Sequence, residues 1–348
     1  TIKHRGPDDV GAWADAEAGV ALGFRRLSII DLSTHGHQPM SSASGRYVII
    51  FNGEVYNFHD LRKELTAAGA NLKGNSDTEV ILEAIEAWGL EKAVKRFIGM
   101  FAIALWDRSE RTLHLIRDRL GVKPLYWGRQ GDLLLFGSEL KALRAHLEWT
   151  PEINRGALAA YFRYAYVPAP HSIYTGIEKQ LPGTIISIGP DGNARTTTYW
   201  SLADICDANK KNLFRGADDE AADELDRLIR ESVELRMVSD VPIGAFLSGG
   251  IDSSTVVGAM QAISPRPVKT FTIGFEEAAF NEAESAKRIA GHLGTDHTEL
   301  YVSPAEARDI IPRLAEVYDE PFADSSQIPT ALVSQLARKD VTVSLSGD

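Results

Sequence analysis

The chain has 348 residues, 44% of them hydrophobic, enough for about two domains with ordinary buried cores. Its 37 basic against 48 acidic side chains leave a formal charge of -11, and no Lys/Arg block occurs, which argues against nucleic acid as a main partner and for a soluble protein handling small molecules. The lone Cys206 permits no internal disulfide and fits a reducing, cytoplasmic setting, and the lack of any run of 18 apolar residues predicts no membrane span.

The first half is rich in short apolar runs bounded by Gly, Asn or Asp: "GVALGF", "RYVIIFN", "GMFAIALWD" and "TLHLIRD", with "DLLLFG" and "GTIISI" later. These predict strands. Two helices interrupt them. Phe58, Leu61, Leu65 and Ala68 mark one; Val80, Ile81, Ala84, Ile85 and Trp88 mark a stronger one. Many strands with inserted helices predict a layered α+β domain over 1–200. The polar stretch 201–217 lacks a pattern and reads as an irregular linker.

From 218 to 348 the rhythm changes. A helix carrying Leu225, Leu228, Ile229 and Val233 precedes strand 241–247, helix 253–262, strand 268–274, helix 280–292 and strand 297–302. Helices near 304–318 and at 327–338 and a strand 341–346 follow. Alternating β and α predicts a doubly wound parallel sheet, with ligands at the carboxyl ends of its strands. The polar opening "TIKHRGPDD" is no signal peptide, and "VTVSLSGD" is a strand entering a loop; the chain reads as cut at both ends.

"AFLSGGIDSS" (245–254) is the most informative stretch. A strand stops at Ser248-Gly249-Gly250, and a helix begins beside Asp252 and Ser253. Backbone N–H groups of such a loop and of a helix start converge on an anion. No Walker A sequence is present, so a pyrophosphate with Mg²⁺ on Asp252 suits the site better than γ-phosphate transfer. The residues alone also allow a plain turn with Asp252 or Ser253 as N-cap. The full string "SGGIDSS" resembles the PP-loop of the ATP pyrophosphatases, which activate a carbonyl oxygen with AMP and release pyrophosphate. That resemblance assigns Leu247 and Ile273 to adenosine, with Ser346 and Gly347 of "SLSGD" also meeting the nucleotide. Leu247 and Ile273 would be apolar in a plain core strand as well.

In the first half "RLSIID", "NGEVYN", "SDTE", "GMFAIALWD" and "RDRLGVKPLY" come in an order that resembles the glutaminase domain of the class II amidotransferases, an Ntn-hydrolase of αββα layers. "HRGPDDVG" and "GSELKAL" fit the same family. Joined to a PP-loop domain, the whole chain resembles the glutamine-hydrolysing asparagine synthetase family. The resemblance implies glutamine, aspartate and ATP as substrates, Mg²⁺, a β-aspartyl-AMP intermediate and a possible homodimer.

Arg26 suits bidentate grip of the glutamine carboxylate, although the residues alone favour a surface Arg. Asp77 suits the α-ammonium, yet Ser76-x-x-Glu79 is also a capping box that puts Asp77 in a helix's first turn. Asn52-Gly53 is the commonest hairpin signal, or an oxyanion hole made of a side-chain and a backbone N–H. The resemblance implies the second reading and places Glu54 at the ammonium end. It also implies an N-terminal Cys nucleophile, which no position of this chain supplies. Thr1 reads as a cut end, and Cys206 reads as inert. "YDEPFADSSQIPT" (318–330) resembles the acceptor-side loop, where Asp324 or Ser325 equally serves to cap the next helix. Asp348 falls where the family has an acidic residue that influences acyl-adenylate formation. A glycan or peptide acceptor, or a non-catalytic glutamine- or ATP-binding module, remains open on sequence.

Overall fold

The computed structural model describes residues 1–275 and 282–347. Their contacts divide the chain into two units, Thr1–Asn212 with Asp319–Phe322, and Leu213–Tyr318 with Ala323–Asp348.

Alternation along the strand Gly99–Asp107 organises the first unit. Phe101, Ile103 and Leu105 point to one face and are wholly buried; Ala102, Ala104 and Trp106 point to the other. The first face meets the helices Phe58–Ala67, Asp77–Trp88 and Leu90–Arg96, whose Leu61, Leu65, Ile81, Ile85 and Val94 are buried. Phe97, just past the last of these helices, packs edge-on against Phe101. This strand lies inside an antiparallel six-stranded sheet, in the order Ala194–Thr198, Thr184–Ile188, Thr112–Arg117, Gly99–Asp107, Tyr47–Val55, Met40–Ser41.

On the sheet's other face, Ala102, Ala104, Trp106, Leu113, Leu115 and Ile186 share a core with Leu22 and with Trp127, Leu134 and Phe136. The latter side chains come from the hairpin Asp9–Asp15/Val20–Arg26 and from a three-stranded sheet of Leu133–Gly137, Tyr126–Gln130 and Ile177–Lys179. The far side of that small sheet, Leu135, Tyr126 and Ile177, packs on Leu140, Leu143 and Ala157 from two further helices. Helix, sheet, sheet, helix is the αββα order of an Ntn-hydrolase.

The second unit has a parallel sheet ordered Asp296–Val302, Lys269–Phe275, Ile243–Phe246, Val343–Leu345. Ala245 and Leu247 face Val233, Val257, Met260 and Ala286 from helices on one side. Phe246, Phe271 and Ile273 face Val333 and Leu336 from the helix Gln327–Ala337 on the other. The sheet is doubly wound. The first strand in sequence lies beside the last, so strand order reverses between Ile243–Phe246 and Val343–Leu345.

Several expectations change in detail. Residues Leu202–Asn209 are helical rather than irregular, opened by the Ser201 hydroxyl accepting from Asp204 N. Asn52-Gly53 is no hairpin turn, since both lie in mid-strand opposite Ala102 and Phe101. The N-cap positions are Gly250 for helix Ile251–Ile263 and Ser326 for Gln327–Ala337, neither with a side-chain cap bond, while Asp324 Oδ1 accepts from Ser326 N (2.7 Å) just before the second helix. Helix 280–292 is observed as Ala283–Leu293; its expected first two residues lie outside the described residues, as does Asp348. Among the described residues no helix is long and apolar enough to cross a membrane.

Candidate active sites

In the first unit, Arg26, Asn52, Gly53, Glu54 and Asp77 all line one cavity of about 480 Å³. They come from three elements: the end of the hairpin, the mid-sheet strand and the start of a buried helix. Asn52 and Gly53 stand at the cavity because the strand runs through its wall. The Asn52 side-chain amide donates to Ser138 Oγ (3.1 Å), which fixes its orientation and leaves a second N–H to give. Gly53 has φ +154°, and a Cβ there would sit 2.1 Å from Met100 O, so the strand pairing itself requires glycine.

Asp77 is more than a first-turn carboxylate. Ser76 caps the helix by accepting from Glu79 N (3.3 Å), but Glu79 turns its own carboxylate to Lys73 N and Gly74 N, so the reciprocal half of the capping box is not made. Asp77 is buried and accepts from Val55 N (3.0 Å). Burial pushes its carboxyl up to about 7, and nearby Glu54 adds to the rise. Glu54 is likewise raised by burial, with the charge of Lys123 pulling the other way. Its Oε1 is buried with no hydrogen-bond partner among the described residues. Two buried carboxylates with an unsatisfied oxygen make a wall suited to a cation.

Arg26 is buried, not a surface residue. It donates to the carbonyls of Ser33 (2.9 Å), Ile30 (3.3 Å) and Asp31, holding the loop after its strand. Three of five donors are thereby used. The sequence singled out neither Lys123 nor Ser138, which both line the cavity. Lys123 belongs to "RDRLGVKPLY", and its position in that run is the only signal for it. Cys206 is exposed on the helix Leu202–Asn209 and is not among the lining residues. The two other quoted motifs of this half meet at the edge of the same cavity, which Arg5 and Ser138 line: Arg5 Nη1 donates to Glu139 Oε1 (2.9 Å), and His4 and Lys141 reach the same carboxylate.

In the second unit, the loop 248–250 leaves the strand end at the point where strand order reverses. Ser248 N donates to Ser253 Oγ (3.1 Å), and Gly250 N donates to Ser248 Oγ (3.1 Å). Ser254 Oγ closes back on Gly250 O (2.6 Å). The loop is thus internally fixed, with Asp252 exposed in the first helical turn. Gly347 lies against it: a Cβ there would be 2.6 Å from Ser253 N. Gly249 lies against Ser285, with 2.9 Å from an added Cβ to Ser285 Cβ. Ser248, Gly249, Gly250, Asp252, Ser253 and Gly347 therefore form one constellation, which Ser346 enters by its place in the chain. Leu247 is core, and Ile273 packs on the opposite face of the sheet. Their side chains have the packing of ordinary strand residues. Among the described residues no three His, Cys, Asp or Glu side chains form a metal cage.

A family model described as "Glutamine amidotransferase domain" matches residues 1–200, and one described as "Asparagine synthase" matches 224–348. The chain is 40% identical along its full length to asparagine synthetase (glutamine-hydrolysing) 1 of Bacillus subtilis, covering 53% of that protein. It is 37% identical to a putative asparagine synthetase (glutamine-hydrolysing) 2 of Methanocaldococcus jannaschii, covering all of this chain and 69% of that protein. A putative asparagine synthetase (glutamine-hydrolysing) of Mycobacterium tuberculosis is 38% identical, with 54% of its length covered. The chain thus spans roughly half to two thirds of these relatives.

Proposed function

We propose, starting from a chain that belongs to the family of glutamine-hydrolysing asparagine synthetases, that the protein amidates aspartate with nitrogen from glutamine at the expense of ATP. The observation that carries this reading is the convergence of Arg26, Asn52, Gly53, Glu54 and Asp77 on one cavity.

Glutamine enters with its α-carboxylate on the remaining donors of Arg26 and its α-ammonium on Asp77 and Glu54. The Asn52 amide and the Gly53 N–H receive the oxyanion as the side-chain amide is attacked. Cys206, exposed and away from the cavity, is not the nucleophile. Burial of Asp77 and Glu54 selects the ammonium strongly, because a cation there relieves an uncompensated charge.

In the second unit, the Ser248–Gly250 loop and the first turn of the following helix bind the pyrophosphate of ATP. Gly347 closes the site without a side chain. Mg²⁺ fits here as one carboxylate, Asp252, beside phosphate oxygens, and it would neutralise their charge. The β-carboxylate oxygen of aspartate attacks the α-phosphorus, pyrophosphate leaves, and ammonia displaces AMP from the acyl carbon. Asp348 would act on this acyl-adenylate. The protein works in the cytoplasm, as a homodimer in this reading.

Asp252→Asn tests the nucleotide half. It should weaken Mg²⁺–ATP binding at least tenfold while leaving glutamine binding unchanged, as read by calorimetry with each ligand. Loss of glutamine binding as well, or full retention of ATP binding, contradicts the assignment.

A further inference from the structure

The cavity wall contains a cation whose place is built with unusual care. Asp118 is buried and accepts from Leu120 N, Val122 N (2.9 Å) and Lys123 N (2.9 Å). Arg117 Nε donates to Lys123 O (2.9 Å), and its two other nitrogens take Gly121 O and Gln180 O. Both backbone polar groups of Lys123 are therefore clamped by charged side chains. The clamp leaves the Lys123 side chain in the cavity lining. Facing it electrostatically are Glu54 from the mid-sheet strand, Arg5 from the N-terminal segment and Asp118 from its own loop. Glu54 in turn is faced by Lys123 and by Asp77 from the helix start. Among the described residues no hydrogen bond or close ion pair joins Lys123 to Glu54, and Glu54 Oε1 has no hydrogen-bond partner, which leaves its lone pairs for a ligand.

We propose that Lys123 is a positioning residue of the glutamine pocket, supplying the charge that keeps Glu54 a carboxylate beside Asp77 for the substrate's α-ammonium. The inference rests on the glutamine reading of this cavity. Two neighbouring buried carboxylates repel, and without an added cation they hold a proton between them. Lys123 offsets one, so the pair carries less bound proton for glutamine to displace. Burial lowers the ammonium's own pKa, and Glu54 acts to keep it charged.

The test is glutamine affinity of the full chain by calorimetry from pH 6 to pH 8, in two buffers of different ionisation enthalpy. Lys123→Met should bind about tenfold more weakly at pH 6, with the gap closing toward pH 8 and more protons released per glutamine bound. Lys123→Arg should restore affinity and proton release. In the Glu54→Gln background, Lys123→Met should no longer change the pH dependence. Should Lys123→Met fail to fold, Lys123→Gln reads the same loss. A deficit constant across pH, no deficit, or an undiminished effect in the Glu54→Gln background overturns the proposal while leaving the pocket reading intact. Failure of the unaltered chain to bind glutamine overturns both.

Discussion

Replacing Asp77 by Asn separates a ligand carboxylate from a helix-capping one by the sign of a stability change. The amide oxygen can still accept from Val55 N, so the hydrogen bond at 3.0 Å survives, and only the charge is lost. The unfolded chain gives up this proton near 3.8, whereas burial, with Glu54 adding, holds it in the fold to about 7. Between those values the native state binds more protons, so unmodified protein loses stability as pH rises and the loss is complete above about 7. A shift of that size corresponds to roughly 4 kcal/mol. Asp77→Asn should therefore raise stability at pH 8 by up to roughly that amount and change little at pH 4. A carboxylate serving only the helix dipole predicts the opposite, a loss of about 0.3–1 kcal/mol. Glutamine binding should fall by about 2–5 kcal/mol, or thirtyfold and more, because the substrate cation loses a buried partner. Urea denaturation at pH 4 and pH 8 and calorimetry with glutamine read both effects. A destabilised variant that binds glutamine normally would refute the reasoning.

Gly53→Ala should cost about 1–3 kcal/mol in denaturant unfolding, since its φ of +154° and a Cβ 2.1 Å from Met100 O leave no room. Gly291→Ala, in an exposed helical position with nothing within 4 Å of the added Cβ, should instead raise stability by about 0.5–1 kcal/mol; equal losses for the two would discredit the geometry. Gly347→Ala should weaken ATP binding, because its Cβ would press on Ser253 N at 2.6 Å; unchanged affinity would remove Gly347 from the site.

The sheets and helices were largely legible because their burial follows period two or 3.6. Gly99–Asp107 and Asp77–Trp88 announce their faces in sequence. Leu202–Asn209 did not, having no buried residue and hence no apolar stripe; its start was signalled only by Ser201 three positions before Asp204. Arg26 was read as a ligand, and its second task, gripping three loop carbonyls, depends on the later course of the chain. Lys123 is clamped locally by Asp118 and Arg117, five and six residues earlier in the same run, but that run does not encode its meeting with Glu54, and Ser138 reaches Asn52 only through the tertiary fold. The Asn-Gly pair shows the converse failure: a strong local turn signal gives way to strand pairing across its full length.

The central claim, glutamine-fed amidation of aspartate through an acyl-adenylate, is tested most directly by following oxygen. The protein is supplied with ATP, ammonia and aspartate carrying heavy oxygen in its β-carboxylate, and phosphorus NMR with mass spectrometry reads the products. The account predicts asparagine, pyrophosphate and AMP in equal amounts, with one heavy oxygen transferred to the AMP phosphate. ADP and inorganic phosphate, or AMP formed without label, would contradict it.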